Sequence, residues 1–311
     1  MEQTITTNSR LTVGMDLGDR FSHIHVLDES GQCIEEGRIA TRAMELRQRF
    51  GGLAPCRIAI EAGTHSPWVS RLLADCGHEV LVANPRKLRA IYQSDIKTDR
   101  TDARYLALIA RMEPQLLYPI QHRGVDTQTH RAWIRSRDVL VRTRTQLVNH
   151  VRSIVKSMGE RLPACSTPAF ARRVASSLPQ ALQPVLTPIL TMISSLTQQI
   201  RDYEQCLEKL AEIHYPQTRT LRTIPGVGSL TSLAFVLTIE DPDRFKRSRS
   251  VGAYLGLCPR QDQSGDRSPQ MRITKTGDDL LRRLLVNAAR SASAGTWPRP
   301  KRPSRSSSGL T

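Results

Sequence analysis

Four carboxylates occupy positions where an acidic side chain has to be accounted for. Asp16 lies inside the apolar run VGMDLG, and Glu61 ends a second apolar run, RIAIE. A carboxylate among apolar residues costs free energy unless it binds a cation or is paired. Asp99 and Asp102 follow in KTDRTDA, where a spacing of three residues near a predicted helix start directs both to one face. Carboxylates brought together from two strands and one helix are suited to hold one or two Mg²⁺ ions.

Such a site predicts phosphoryl-transfer chemistry. Two Mg²⁺ ions on either side of a phosphate activate the attacking oxygen and stabilise the leaving one. Each residue taken singly also has an ordinary structural interpretation. Asp16 would cap the turn at Gly18, Glu61 would pair with an arginine, and Asp99 would cap a helix.

The elements that would position these carboxylates form an α/β pattern over the first 115 or so residues. Strand-like runs occupy 11–17, 22–28, 31–39, 56–62 and 79–84, and helical runs occupy 42–50, 66–77 and 98–112. Gly18-Asp19 is a turn signal between the first two strands. Three strands followed by alternating helices and strands predict a mixed sheet with helices packed on it.

Residues 125–215 carry a helical pattern. Apolar residues recur from Ile189 onward with alternating steps of four and three, which is typical of a coiled-coil seam. Pro184 and Pro188 interrupt the pattern before that point. One interpretation of the seam is dimerisation, and the other is an antiparallel hairpin with the helix at 129–158, because a heptad pattern does not identify its partner.

The third region begins near Thr218 and contains a Pro-Gly-Val-Gly loop followed by an apolar helix. Gly226 and Gly228 resemble the glycines of helix-hairpin-helix modules, which let backbone N–H groups approach a phosphate. From residue 242 to the end, fifteen Arg and Lys residues face five Asp and Glu residues, a net charge of +10. This excess predicts contact with a DNA backbone.

Composition favours a nucleic-acid partner for the whole chain. Its 311 residues carry a net charge of +16, and the pI is about 10.3, so a polyanion is the expected partner. The sequence contains no apolar stretch of transmembrane length, which predicts no membrane partner. Six scattered cysteines without a CxxC pair favour reduced thiols and a cytoplasmic location, in the bacterial cytosol or nucleoid.

Taken together, the motifs resemble those of the DEDD insertion-sequence transposases, a group that includes bridge-RNA-guided recombinases and pilin-gene invertases. The resemblance covers about residues 11–291 and rests on the four carboxylates with their flanking sequence. It extends through IPGVGSLTSLAFVLTIED, FKRSRSVGAYLGLCPRQDQSGD and RITKTGDDLLRRLLVNAAR. It implies an RNase H-like (RuvC-like) catalytic domain at 10–118, a helical coiled-coil region at 125–215 and a mostly α C-terminal transposase domain at 218–293. Composition predicts a disordered tail at 294–311.

The same resemblance implies a serine nucleophile. By motif position it is Ser264, in QDQSGDRSPQMRITK, with Ser268 as the competing residue. Five cations near the Asp99–Asp102 pair and near Ser264 are candidates for holding phosphates: Lys97, Arg100, Arg104, Arg272 and Lys275. For each of them the alternative is an ordinary solvated surface charge. His23 and His25 are interpreted as structural or exposed.

The implied function is that of a transposase or site-specific recombinase, which exchanges DNA strands by phosphodiester transesterification with Mg²⁺. Its expected partners are donor and target DNA, a structured guide RNA that rests on the resemblance alone, and further copies of the chain in a homodimer or homotetramer. Two alternatives stay open. One is a resolvase-type nuclease in which water is the nucleophile, and the other is a DNA-binding remnant, suggested by the Pro/Ser/Arg tail.

Overall fold

The computed structural model describes residues 11–88, 98–263, 267 and 269–293. Ser264, Ser268, Lys97 and the tail from residue 294 lie outside these described residues. The chain divides into two compact units, one ending at Arg123 and the other starting at Gly124.

The first unit contains a mixed five-stranded sheet of order β3-β2-β1-β4-β5. Strands β1, β2 and β3 are antiparallel, whereas β4 and β5 run parallel to β1. The predicted mixed sheet with packed helices is therefore confirmed. The elements in chain order are β1 Thr12–Asp16, β2 Phe21–Leu27, β3 Cys33–Ala40, α1 Ala43–Phe50, β4 Arg57–Glu61, α2 Ser66–Asp75, β5 Glu79–Ala83, α3 Pro85–Leu88 and α4 Asp99–Met112.

Alternation along the strands separates the two faces of this sheet. Val13, Met15, Ile58 and Ile60 point to one face, where they form a core with residues of α1 and α2. Ala59 points to the opposite face and packs with Leu106 and Ala110 of α4, among others. Helix α4 therefore covers the face that carries the even-numbered positions of β1.

Gly14 is the point of closest approach between β1 and α4. A Cβ atom built there would lie 2.0 Å from the carbonyl oxygen of Ala103 and 2.4 Å from the nitrogen of Ala107. Only glycine fits beneath the helix backbone at this distance. Gly14 therefore sets the distance between α4 and β1, the strand that carries Asp16.

The second unit is mostly helical. Its elements are α5 Val125–Ser157, α6 Phe170–Val174, α7 Gln183–His214, α8 Thr218–Leu221, α9 Ser229–Ile239, α10 Arg249–Tyr254 and α11 Asp279–Ser293. Pro184 falls in the first turn of α7, where its missing N–H would have had no helical partner. No helix in the described part of the chain is both long and apolar enough to cross a membrane.

The heptad seam of α7 packs inside the same chain. Leu186, Leu190 and Ile193 share a buried cluster with Val151 and Val155 of α5. Further along α7, Leu196, Ile200 and Leu207 are buried as well. The structure thus supports the intramolecular interpretation of the seam, in which the partner is the α5 helix predicted at 129–158.

Arginines of α5 are engaged in ion pairs within the second unit. Arg131 and Arg135 both bind the Asp278 carboxylate, the latter with an N–O distance of 2.8 Å. Arg142 contacts Asp138 at 2.8 Å on the same helix. Part of the positive charge of α5 therefore stabilises the fold and is not exposed as a bare basic surface.

Candidate catalytic carboxylate site

Asp16 and Glu61 end two neighbouring parallel strands. Met15 of β1 lies opposite Ile60 of β4, and the two acidic residues follow directly. Each lies two positions beyond a residue on the face covered by α4, so alternation places both carboxylates on that face. Both are half-buried. The prediction that the carboxylates of two strands come together is consistent with this register.

Helix α4 is oriented so that its acidic start reaches the same edge. Arg57, the first residue of β4, donates a hydrogen bond of 3.0 Å from Nη1 to the carbonyl oxygen of Ala110. The last turns of α4 therefore lie over the beginning of β4, and the first turn lies towards the strand ends. Thr98 caps this start, its hydroxyl accepting a bond of 3.2 Å from the Thr101 N–H.

Asp102 lies in the first turn of α4 and is only 7% exposed. It immediately precedes Ala103, whose carbonyl oxygen faces Gly14. Asp99 is one turn earlier and exposed, and its Oδ2 lies 3.7 Å from Nδ1 of His23. His23 is the cross-strand neighbour of Asp16. The register places Asp16 and Glu61 on one face and edge of the sheet, and the orientation of α4 brings its first turn, with Asp99 and Asp102, towards that edge.

The four predicted carboxylates do not form a compact donor group. The described residues contain one group of three potential metal-binding side chains whose donor atoms lie within 4.8 Å of one another, and it is His25, Cys33 and Glu36. The four acidic residues are more widely spaced. Like charges repel one another, and a bound cation removes that repulsion. An all-oxygen donor set is the one that Mg²⁺ prefers, so the residue types fit that ion.

The positive end of the α4 dipole also favours negative charge at this place. Asp99 and Asp102 both lie in the first turn, where unsatisfied N–H groups point outward. The contribution of a helix terminus to a nearby anion is about 0.3–1 kcal/mol. This stabilisation partly offsets the cost of burying Asp102.

Two polar residues missed by the sequence analysis lie in the loops that follow the strand ends. His65 follows β4, and its Nε2 lies 3.5 Å from Oδ1 of Asp19, which follows β1. The indole N–H of Trp68 donates to Nδ1 of His65 over 3.1 Å and orients the imidazole. The motif GTHSPW alone gives no signal for this contact, because Asp19 is distant in sequence.

The predicted phosphate-binding cations of α4 differ in their surroundings. Arg100 is bound to the carboxylate of Glu36 on β3, with 2.8 Å between Nη2 and Oε2. Arg104 is exposed, and its charge contributes to lowering the pKa of His25. Lys97 lies outside the described residues. Arg104 is thus the better placed of the two described cations to meet a phosphate.

In the second unit, the described residues around the serine motif form the base of a loop. The N–H of Arg260 donates to the carbonyl oxygen of Arg272 over 2.9 Å. The N–H of Thr274 donates to the carbonyl oxygen of Cys258, also over 2.9 Å. These bonds bring together the two ends of the segment 261–271, which contains Ser264. Arg272 and Lys275 are exposed beside this base.

The two glycines of the Pro-Gly-Val-Gly loop have different surroundings. Gly226 has a φ of +83°, and a Cβ there would lie 2.3 Å from the carbonyl oxygen of Ala288 in α11. Close packing on α11 therefore accounts for this glycine. Gly228 precedes α9, and nothing lies within 4 Å of a Cβ built on it. Space for a ligand is consequently present at Gly228.

A carboxylate-edged sheet in a strongly basic chain defines a protein that acts on nucleic acid. Comparison with known families gives the class directly. Residues 218–304 match the model described as "Transposase IS116/IS110/IS902 family", and residues 13–159 match the DEDD transposase model of the IS110 type, described as "Transposase". The chain therefore belongs to the IS110/IS116 family of transposases, and its activity is that of a DNA transposase/recombinase.

Individual relatives agree with this assignment. The transposase for insertion sequence element IS1328 of Yersinia enterocolitica is 32% identical over 284 residues, covering 89% of this chain and 82% of the relative. The transposase for IS1111A of Coxiella burnetii is 28% identical over 285 residues, covering 90% and 77%. A pilin gene-inverting protein of Moraxella lacunata is 32% identical over 105 residues, covering 33% and 32%. The family resemblance expected from the motifs is confirmed.

Proposed function

We propose that this transposase cuts and rejoins DNA by transesterification, with Ser264 as the nucleophile and with Asp16, Glu61, Asp99 and Asp102 holding one or two Mg²⁺ ions. The carrying observation is the placement of Asp16 and Glu61 at adjacent strand ends, together with the two further carboxylates in the first turn of α4. An RNase H-like, RuvC-like classification of the first unit is part of this proposal. Its mixed sheet with carboxylates at the strand ends supports it.

Each carboxylate has a distinct task in this scheme. Asp16 and Glu61 come from rigid strands and would set the position of the site. The buried Asp102 would supply an oxygen from the helix, and the exposed Asp99 would adjust to the substrate while His23 limits its movement. Bound Mg²⁺ supplies polarisation of the scissile phosphate and stabilisation of the leaving oxygen.

The serine step conserves the energy of the phosphodiester bond. Oγ of Ser264 attacks the phosphorus atom, a P–Oγ bond forms, and the bond to one bridging sugar oxygen breaks. The hydroxyl proton passes to water, and the released sugar oxygen takes up a proton. A sugar hydroxyl of the recipient strand then attacks the phosphoserine, which restores the serine and completes the exchange without an external energy source.

The proposed partners follow from the same scheme. Donor and target DNA are the substrates, and the exposed Arg104, Arg272 and Lys275 are suited to their phosphates. A structured guide RNA and a homodimeric or homotetrameric assembly belong to the proposal through the family resemblance. The coiled-coil seam of α7 gives no separate support for assembly, since α5 of the same chain covers much of it.

A covalent-adduct assay tests the nucleophile. The full chain is incubated with donor DNA, target DNA, candidate guide RNA and Mg²⁺, and the products are separated under denaturing conditions. We expect a protein–DNA adduct with the unmodified chain and with Ser268→Ala, and none with Ser264→Ala. An adduct that survives in Ser264→Ala contradicts the assignment. Cleavage to unattached ends without any adduct would indicate a hydrolytic nuclease, and DNA binding without cleavage would indicate a non-catalytic remnant.

A further inference from the structure

A second group of potential metal ligands lies beside the carboxylate site. His25, Cys33 and Glu36 each direct one donor atom to a common point, and these three atoms lie within 4.8 Å of one another. His25 is on β2, and the other two are on β3. None of them belongs to the four carboxylates of the proposed catalytic site.

A β-bulge makes this convergence possible. On β3, Glu36 lies opposite His25 and Cys33 lies opposite Leu27, with a register shift between Val26 and Leu27. Residues three positions apart on a regular strand point to opposite faces. The bulge adds one unpaired residue to β3, so Cys33 and Glu36 both lie on the face of His25. This is the face covered by α4. Bulges commonly re-aim side chains beside functional sites.

The distances leave room for an ion. Nδ1 of His25 is 3.9 Å from Sγ of Cys33 and 3.8 Å from Oε2 of Glu36. The first is a long hydrogen bond that involves sulfur, and the second exceeds an ordinary hydrogen bond between nitrogen and oxygen. A tetrahedral Zn²⁺ with bonds of about 2.0–2.3 Å holds its ligand atoms roughly 3.3–3.8 Å apart. The two distances from His25 Nδ1 would therefore have to shorten by a few tenths of an ångström to match this geometry, and the third donor pair lies within 4.8 Å.

The surroundings supply an open fourth position and an orienting partner. A surface groove of about 420 Å³ is lined by all three donors together with Arg100 and Tyr105, among others. Arg100 donates to both oxygens of Glu36 and fixes its carboxylate beside His25. A carboxylate has enough lone pairs to accept these bonds and still bind a cation. Outer partners of this kind normally orient metal ligands.

The donor types favour a thiophilic cation. An imidazole nitrogen, a cysteine sulfur and a carboxylate oxygen form a mixed N/S/O donor set that suits Zn²⁺ rather than Mg²⁺. Because Arg100 and Arg104 line the same groove, their charge opposes a cation, and the carboxylate of Glu36 with the sulfur of Cys33 would have to outweigh it.

We propose that His25, Cys33 and Glu36 form a second metal site that binds one Zn²⁺ or a similar thiophilic divalent cation, with its fourth position open to the groove. The cation would join the bulged start of β3 to β2. His25 lies opposite Gly14, so the site is two residues from Asp16 along the same sheet face. This inference is independent of the serine and the Mg²⁺ carboxylates.

Cobalt titration of the full chain tests the site, with a phosphine reductant in place of a thiol. Co²⁺ reports thiolate ligation through a sulfur-to-cobalt charge-transfer absorption. We expect one Co²⁺ per chain with this absorption, displacement by Zn²⁺ and no displacement by excess Mg²⁺. The absorption should disappear in Cys33→Ser and persist in the matched variant Cys206→Ser, which changes another exposed cysteine.

Zinc affinity, measured by competition with a chromophoric chelator, gives a second readout. We expect it to fall at least about 10- to 100-fold in Cys33→Ser and in Glu36→Gln. It should stay unchanged in Asp102→Asn, which separates this site from the catalytic proposal. Circular dichroism verifies the fold of each variant. No charge-transfer absorption in the unmodified chain, or one that persists in Cys33→Ser, overturns the proposal.

Discussion

Nδ1 of His23 lies 3.7 Å from Oδ2 of Asp99, which connects the second strand of the sheet to the first turn of α4. His23 is also the cross-strand neighbour of Asp16. One imidazole thus stands between a strand carboxylate and a helix carboxylate. The side chain of Asp99 is 71% exposed, so this contact restrains an otherwise solvated group.

We expect His23→Gln to lower strand transfer about 10- to 100-fold, because a carboxylate misplaced by about 1 Å costs rate on that scale. The variant removes none of the four carboxylate groups. Adduct formation over time in the full reaction mixture measures the effect. His150→Gln, at an exposed position of α5, is the control and should match the unmodified chain. Equal rates for both variants would show that His23 has no positioning role.

Asp102→Asn tests the buried member of the acidic set. It keeps the size of the side chain and removes the charge that would bind a cation. We expect adduct formation to fall about 10²–10³-fold, the usual loss when one preorganised electrostatic group is removed. Asp75→Asn, at an exposed site on α2, should retain activity. An active Asp102→Asn variant would remove this residue from the catalytic set.

Gly14→Ala tests the packing that holds α4 over the strand ends. The added methyl would lie 2.0 Å from the carbonyl oxygen of Ala103, so the helix must shift. We expect a loss of about 1–3 kcal/mol in the free energy of unfolding, measured by denaturant titration. Gly37→Ala is the matched control, since nothing lies within 4 Å of its Cβ. Equal free energies of unfolding for the two alanine variants would contradict the close contact at Gly14.

The local pattern of the sequence was sufficient to predict the mixed sheet and to place Asp16 and Glu61 on two of its strands. The strands appear as short apolar runs, and Gly18-Asp19 marks the turn between β1 and β2. The helix at 98–112 was likewise predicted and is α4. These features depend on residues close in sequence, where propensity and period carry the signal.

Contacts between distant residues could not be predicted in the same way. Arg131 and Asp278 are 147 positions apart, and the sequence predicted a helix at 129–158 without indicating this ion pair. The heptad spacing of α7 was visible in the sequence, but it did not identify α5 as the partner of this helix. The bulge that turns Cys33 towards His25 shifts the register by one residue, which an alternating pattern does not reveal.

Asp278 should make the stability of the second unit depend on pH. Burial alone would raise its pKa, but the Leu281 N–H and the charges of Arg131 and Arg135 outweigh burial and hold the pKa below its usual value. A depressed carboxyl pKa adds stability above the unfolded value of about 3.9, and this stability is lost as pH falls through the folded value. Unfolding free energies measured from pH 7 downward should decline in this acidic range.

Asp278→Ala should remove that pH-dependent part of the stability and cost about 3 kcal/mol at pH 7, because it leaves two arginines without their shared partner. Asp279→Ala is the matched control. Its side chain is 60% exposed and lies 3.7 Å from Arg142, so we expect a loss below about 1 kcal/mol. A similar loss in both variants would contradict the structural role of Asp278.

The exposed cations at the base of the serine loop should determine how DNA affinity depends on salt. Each phosphate contact adds about one unit to the slope of log affinity against log salt concentration. We expect Arg272→Ala and Lys275→Ala each to reduce that slope by about one, with little change between DNA sequences. Fluorescence anisotropy at several salt concentrations measures the slope. Arg135→Ala is the control, because its guanidinium already binds Asp278 and should leave the slope unchanged. A slope unaffected by Arg272→Ala and Lys275→Ala would place the DNA backbone elsewhere on the chain.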